Sequence, residues 1–161
     1  MKKKSSIEIR IAGLEDRETV VNLFYKLLQY LDQFEHDMLP TRENAEWVTD
    51  ALLMPAAVRG EPVLIAWKDS LPIGGLFWTI QDLPYQTRWK MSYGYGTFIE
   101  EGFRSQDIGS QLRQRGFQML KEKGVERSVA MVLLKNKLSD KNLDLMGERV
   151  HIARLDHFII K

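Results

Sequence analysis

Residues 99–112 read Ile99-Glu100-Glu101-Gly102-Phe103-Arg104-Ser105-Gln106-Asp107-Ile108-Gly109-Ser110-Gln111-Leu112. A strand end, a short polar loop and the first turn of a helix follow one another in this stretch. A helix start leaves several backbone N–H groups unpaired at the positive end of the helix dipole. Gly109 lies in that first turn and, having no Cβ, lets a ligand approach the backbone closely. The stretch therefore predicts an anion site suited to a phosphate or a diphosphate.

Hydrophobic periodicity on either side of this stretch predicts the element order β-α-α-β-β-β-α-β-α-β. No repeat, low-complexity segment or linker interrupts the order, so an α/β fold with a mixed sheet and helices on both faces is expected. The predicted strands cover residues 7–11, 62–67, 73–80, 91–100, 127–134 and 154–160. The predicted helices cover residues 14–31, 42–54, 106–123 and, more weakly, 136–147.

Length and composition indicate an ordinary globular protein. The 161 residues match one domain at roughly 100–200 residues per domain, so a single domain 1–161 is expected, with residues 1–6 as a disordered basic tail. The net charge of +1 carries no global signature of nucleic-acid binding. The chain has no cysteine, which excludes disulfides, zinc thiolate sites and a cysteine nucleophile. No metal site is expected, because the three histidines show no ligand spacing.

Targeting signals are not recognisable in the sequence. Charged residues occupy the place where a signal peptide would have its apolar core, after the N-terminal lysines. The longest apolar run, residues 129–134, is far shorter than the roughly 20 residues of a membrane helix. A soluble, cytoplasmic protein that binds no membrane is expected.

The motif Arg104-Ser105-Gln106-Asp107-Ile108-Gly109 resembles the signature Gln/Arg-x-x-Gly-x-Gly/Ala of the GCN5-related N-acetyltransferases, matching it at Arg104 and Gly109. Ile108, Ser110 and Leu112 are also common flanking residues in that family. The resemblance extends over residues 7–160, because the element order is similar too. It implies a mostly antiparallel central sheet and the transfer of an acetyl group from acetyl-coenzyme A, as a co-substrate, to an amine.

Two departures from the family pattern bear on the chemistry. Asp107 replaces the first glycine, and we interpret it as a helix cap whose carboxylate points away from the diphosphate. Asn136 matches an asparagine of the family, but Leu143 stands where the family commonly has a tyrosine that protonates the departing thiolate. The usual general acid is therefore missing, whereas the coenzyme site is retained.

Proton transfer from the acceptor amine needs a base near the thioester. Glu100 and Glu101 end the strand that would carry the thioester, and Glu100 is our choice because strand alternation places it on the face of Gly94 and Gly96. Tyr93 and Tyr95 share the other face, where they line the acceptor pocket, donate a proton or simply pack.

The predicted catalytic residues are Glu100, Tyr93 and Tyr95. The coenzyme-binding residues implied by the motif and the resemblance are Ile99, Glu101, Arg104, Ser105, Gln106, Asp107, Ile108, Gly109, Ser110 and Asn136. By resemblance, a backbone N–H at a strand bulge near Ile99 serves the thioester oxygen.

Three functions remain open from the sequence. The first is direct acetyl transfer to a primary amine in a ternary complex, on a small molecule or a protein. The second is a coenzyme A-binding module or sensor without turnover, which Leu143 favours. The third is nucleic-acid binding through the basic residues around 113–127, which acidic residues interrupt, so we expect no nucleic-acid partner. The acceptor is not identified, and the oligomeric state stays open between a monomer and a homodimer.

Overall fold

The computed structural model describes residues 6–34, 39–81, 90–130, 133 and 136. The chain divides into two compact units, Met1–Met131 and Val132–Lys161, and every element given below belongs to the first. The predicted helix 136–147, apart from its first residue, and the predicted strand 154–160 lie outside the described residues, as do residues 1–5 of the predicted tail. The assignment of residues 1–161 to a single domain stays a prediction.

The described strands form one mixed, mostly antiparallel sheet in the order β1-β2-β3-β4-β5. Alternating and continuous apolar runs of β-branched and aromatic residues favour these strands, and their bounds lie close to the predicted ones. Neighbouring strands pair antiparallel from β1 to β4, whereas β4 and β5 are parallel. The bounds are Ile7–Ile11 for β1, Val63–Lys68 for β2, Leu71–Ile80 for β3, Met91–Ile99 for β4 and Arg127–Ala130 for β5.

Three α-helices cover the two faces of this sheet, as expected: α1 (Arg17–Asp32), α2 (Arg42–Arg59) and α3 (Ile108–Glu122). Phe77 and Trp78, adjacent on β3, point to opposite faces. Phe77 contacts Phe24 of α1 with ring centroids 5.2 Å apart, and Trp78 contacts Phe117 of α3 at 4.9 Å. The larger apolar core lies on the α1–α2 face. No helix among the described residues is long and apolar enough to cross a membrane.

Helix α2 is longer than predicted. We expected it to end at Met54, because proline lacks the N–H that continues a helix. It instead runs through Pro55 to Arg59, since burial of Leu52, Leu53 and Ala56 holds the last turn against the sheet. Gly60, with φ of 62°, then ends it by donating its N–H to the carbonyl of Ala56 at 2.9 Å.

A β-bulge interrupts β4 at Tyr95. Gly94 lies opposite Trp78 and Gly96 lies opposite Phe77, so Tyr95 is an extra residue without a partner on β3. Gly96 has φ of 151°, a backbone conformation that glycine adopts without the strain a Cβ would add. The bulge shifts the alternation of side chains along β4 by one residue, and this shift decides which side chains face the candidate site.

Candidate active site

Strands β4 and β5 pair in parallel over the described length of β5. The register runs from Met91 opposite Arg127 to Gly94 opposite Ala130, and on its other side β4 pairs with β3 up to Ile99. The bulge at Tyr95 lies directly after the last described pair of β4 and β5. It precedes the end of β4, from which the chain turns into α3.

The turn between β4 and α3 begins with a short 3-10 helix, Glu101–Phe103, and ends at Asp107. Two non-glycine residues of the turn have left-handed backbone conformations, Ser105 with φ of 63° and Asp107 with φ of 60°. The first α-helical bond of α3 runs from the N–H of Gln111 to the carbonyl of Asp107, at 3.0 Å. The N–H groups of residues 108–110 precede that bond and have no partner within the helix.

Asp107 stands at the N-cap position of α3, but its side chain makes no capping hydrogen bond. The interpretation of Asp107 as a side-chain cap is therefore wrong. Its backbone explains the residue better, since the left-handed conformation favours glycine, and aspartate tolerates it better than most other residues do. The family pattern has a glycine at this position. Glycine and the aspartate found here can both adopt the left-handed backbone conformation that the turn requires.

Arg104 turns back from the motif toward the sheet. Its Nε donates a hydrogen bond to the carbonyl of Ile99 at 3.1 Å, and its guanidinium lies 5.2 Å from the ring centroid of Tyr30 on α1. Both contacts tie the motif arginine to the end of β4. Its place in the coenzyme site stays a prediction, and these contacts give it a structural task in the free protein.

Arg113 lies over the first turn of α3, a position that sequence reasoning missed. A Cβ built on Gly109 would lie 3.2 Å from Nη1 of Arg113 and 3.8 Å from Ile99. Burial lowers the pKa of the Arg113 guanidinium, and the negative charge of Asp107 opposes that shift. The spacing of four residues from Gly109 was a usable signal, because such residues lie on the same helix face.

Glu100 ends β4 on the α1 side of the sheet and forms an ion pair with Lys26 of α1. Its backbone N–H donates to the carbonyl of Ile73 at 3.0 Å, so strand pairing fixes the position of the residue. The Glu100 side chain is 28% exposed and that of Lys26 48%. The carboxylate is thus accessible from solvent and already holds one ammonium group.

Tyr93 and Tyr95 share a face, as expected, with ring centroids 4.9 Å apart. The expectation that Gly94 and Gly96 share the other face is wrong. A Cβ on Gly94 would meet Trp78, on the α3 side, whereas a Cβ on Gly96 would meet Leu27 of α1. The bulge causes the difference, and it leaves Gly96 on the α1 side with the two tyrosines.

Burial raises the pKa of the Tyr93 phenol, and the neighbouring Tyr95 raises it further. Tyr95 is 38% exposed, and its ring lies 6.4 Å from that of Phe24. The Tyr93 phenol therefore stays protonated at neutral pH. Both phenols line the α1 side of β4, where each hydroxyl can donate a hydrogen bond to a ligand.

The other predicted site residues are spread around the turn. The expected bulge near Ile99 lies instead at Tyr95, because the register shift falls opposite Phe77 and Trp78. The side chain of Gln106 donates to the carbonyl of Gly102 at 3.4 Å. Glu101 and Ser105 are exposed, Ile108 is buried, and Ser110 is partly buried.

Asn136 belongs to the second unit, in which its N–H donates to the carbonyl of Leu133 at 2.8 Å. Leu143 and the three histidines lie outside the described residues. In the part of the chain that the structure describes, no three His, Asp or Glu residues are grouped so that they could hold a metal ion.

Solved structures with this fold include acetyltransferases. A GCN5-related N-acetyltransferase from Ralstonia eutropha JMP134 matches with a TM-score of 0.74 and 17% identity, over 95% of this chain and 99% of that one. The aminoglycoside N-acetyltransferase AAC(6')-Iy in complex with CoA matches with a TM-score of 0.67 and 18% identity, over 96% and 98%. A possible acetyltransferase from Clostridium difficile 630 gives 0.72 and 15%, over 96% and 99%.

No protein-family model matches the sequence, and the comparison with curated proteins gives no match. The fold is nevertheless that of the GCN5-related N-acetyltransferases, with its mixed, mostly antiparallel sheet and helices on both faces. The resemblance inferred from the motif around Arg104 and Gly109 is confirmed at the level of the fold.

Proposed function

We propose that this protein is an acetyl-coenzyme A-dependent N-acetyltransferase that acts on a primary amine by direct attack in a ternary complex. The observation that carries the proposal is the start of α3, where the N–H groups of residues 108–110 precede the first α-helical bond and Gly109 adds no side chain. A helix start of this kind offers its N–H groups to the phosphates of a ligand. The solved structures with the same fold include an acetyltransferase bound to CoA.

The turn fits the diphosphate of coenzyme A in two respects and opposes it in one. Gly109 keeps the first turn of α3 free of side-chain bulk, since the atoms nearest to an added Cβ belong to the end of the Arg113 side chain and to Ile99. Arg113 supplies a positive charge at the same turn. The carboxylate of Asp107 opposes an anion there, unless it stays turned to solvent, where Asp107 is exposed.

Bound acetyl-coenzyme A supplies an activated acyl group, whose C–S bond breaks as the new C–N bond forms. An amine like that of lysine, with a pKa near 10.4, is almost wholly protonated at pH 7, so it must lose a proton before it attacks. Glu100 directly follows β4 and accepts that proton, directly or through water. The phenols of Tyr93 and Tyr95, on the same face of β4, donate a proton to the departing thiolate.

A coenzyme A-binding module without turnover is the second candidate. The ion pair between Lys26 and Glu100 favours it, because the Lys26 ammonium group already occupies the carboxylate that an acceptor amine would need. An acceptor amine would have to displace the Lys26 ammonium group. The enzyme and the binding module are thus distinguished by turnover rather than by affinity for the coenzyme.

The test is an acetyl-coenzyme A turnover assay against a panel of primary amines, including polyamines, aminoglycosides, amino acids and lysine peptides. The release of free thiol is read out, and calorimetric titration with coenzyme A runs in parallel. Thiol release that depends on an amine supports the enzyme. Coenzyme A binding without thiol release from any amine supports the binding module, and the absence of both would contradict the two proposals.

A further inference from the structure

The charges at the start of α3 are arranged in an unusual way. The positive end of a helix dipole disfavours a cation, yet Arg113 extends back along α3 until Nη1 comes within contact distance of the first turn, at Gly109. The guanidinium is partly buried, and burial lowers its pKa. An anion beside the guanidinium would offset both the unfavourable effect of the helix dipole and the cost of burying the charge.

Within the described residues, the Arg113 guanidinium has no hydrogen-bond or ion-pair partner. The carboxylate of Asp107 favours its protonated form through charge, without a hydrogen bond. By contrast, Arg115, two residues further along α3, is exposed and donates a hydrogen bond to Gln118 at 3.3 Å. No described residue therefore occupies the planar set of donors that Arg113 holds beside the turn.

Arg104, the arginine of the motif, is engaged elsewhere. Its Nε is used by the carbonyl of Ile99, and its guanidinium lies against the ring of Tyr30. Arg104 therefore anchors the end of β4, whereas Arg113 reaches the start of α3.

We infer that Arg113, in place of Arg104, contacts the diphosphate of coenzyme A at the first turn of α3. The inference rests on the proposed function. A guanidinium matches two phosphate oxygens with two N–H groups in one plane. The absence of a side chain at Gly109 leaves the space in which the guanidinium and the diphosphate meet. Binding would turn an unfavourable charge arrangement of the free protein into a favourable one.

Calorimetric titration with coenzyme A and with 3′-dephospho-coenzyme A tests the inference. Arg113→Met should weaken the binding of both ligands by about tenfold or more, a common effect of losing a charged contact. It should also raise the melting temperature of the free protein, because the unpaired charge is removed. Arg113→Lys should weaken binding less than Arg113→Met, since it keeps the charge but loses the planar pair of donors.

Arg115→Met is the matched control and should bind both ligands as the wild type does. Unchanged affinity in Arg113→Met, with coenzyme A bound by the wild type, overturns the inference and leaves the proposed function to the turnover assay. A loss confined to coenzyme A assigns Arg113 to the 3′-phosphate and overturns the diphosphate contact. If the wild type binds neither ligand, the proposed function and the inference fail together. If Arg113→Met does not fold, the affinity of Arg113→Lys relative to the wild type decides.

Discussion

The ammonium group of Lys26, on α1, donates a hydrogen bond to the carboxylate of Glu100, 74 residues further along the chain at the end of β4. One turn further along α1, Tyr30 lies beside the guanidinium of Arg104. These two residues of α1 hold both ends of the segment 100–104, which leads from the end of β4 into the turn before α3. The proposed base and the motif arginine are therefore positioned by the same helix.

Glu100→Gln should lower the turnover number by about 10²-fold or more, the usual effect of losing a general base. The amide keeps the shape of the side chain but cannot accept the proton, and coenzyme A affinity should not change. Steady-state kinetics and calorimetry measure the two quantities. Glu43→Gln, at an exposed carboxylate in the first turn of α2, is the control and should keep its activity. Full activity in Glu100→Gln, with activity lost in Tyr93→Phe or Tyr95→Phe, would assign the proton path to the tyrosines.

Tyr93 should make the protein less stable in alkali. Its pKa in the folded protein is raised above the ordinary value of 10.0, so the unfolded chain loses the phenolic proton first. The folded state then binds more protons than the unfolded state between the two pKa values, and stability falls as pH rises through that window. Below it, Tyr93 contributes no pH dependence. Urea denaturation above pH 10 should show a steeper decline in the wild type than in Tyr93→Phe, and parallel declines would contradict the assignment.

Asp107→Gly and Ser105→Gly form a matched pair. Each relieves a left-handed non-glycine conformation and should raise the free energy of unfolding by up to about 1 kcal/mol. Only Asp107→Gly removes a negative charge from the helix start, so only this variant should bind coenzyme A more tightly, by about two- to fivefold. Calorimetry gives the affinities and urea denaturation the stabilities. Equal affinity in both variants would show that the Asp107 carboxylate does not reach the bound phosphates.

Gly116→Val should destabilise the protein by about 1–3 kcal/mol, the range for overpacking a tight contact. A Cβ at this position would lie 3.0 Å from the Trp78 ring and 3.2 Å from Leu76, so α3 would have to move away from the sheet. Gly102→Ala is the control, because nothing lies within 4 Å of its added Cβ. Urea denaturation measures both, and a fully stable Gly116→Val would mean that α3 packs against the sheet less closely than described.

Local patterns were sufficient for most of the first unit. Alternation predicted β1 at its exact bounds, and the apolar stripe on α3 together with a polar loop before it predicted the helix start at the motif. The end of α2 was missed, since local chemistry argues for a stop at Pro55 and only burial of Leu52 and Leu53 against the sheet overrides it. Tertiary packing decides where such a helix ends, and the residues next to Pro55 in the sequence carry no information about that packing.

The turn at the candidate site was predicted where the structure has it, with Asp107 and Gly109 at the start of α3, whereas the site residues themselves stay predictions. Sequence spacing could not tell that Arg104 bends back to the carbonyl of Ile99, because that contact depends on where the strand ends. The spacing of four residues placed Arg113 on the helix face of Gly109 but left the direction of its side chain open. The direction of a long side chain is set by its neighbours in space rather than in sequence.

Tyr95 is an extra residue in β4, and the bulge takes it up. Before it, the odd-numbered Tyr93 faces α1, whereas after it the even-numbered Phe98 and Glu100 do. If β4 kept Tyr95 and paired regularly, every upstream or every downstream side chain would change faces. Tyr93 and Glu100 could then no longer face the same helix. A chain lacking Tyr95 would pair regularly with the flanking side chains on their present faces, so deletion of Tyr95 should preserve this wall of the site better than insertion of a further residue beside it.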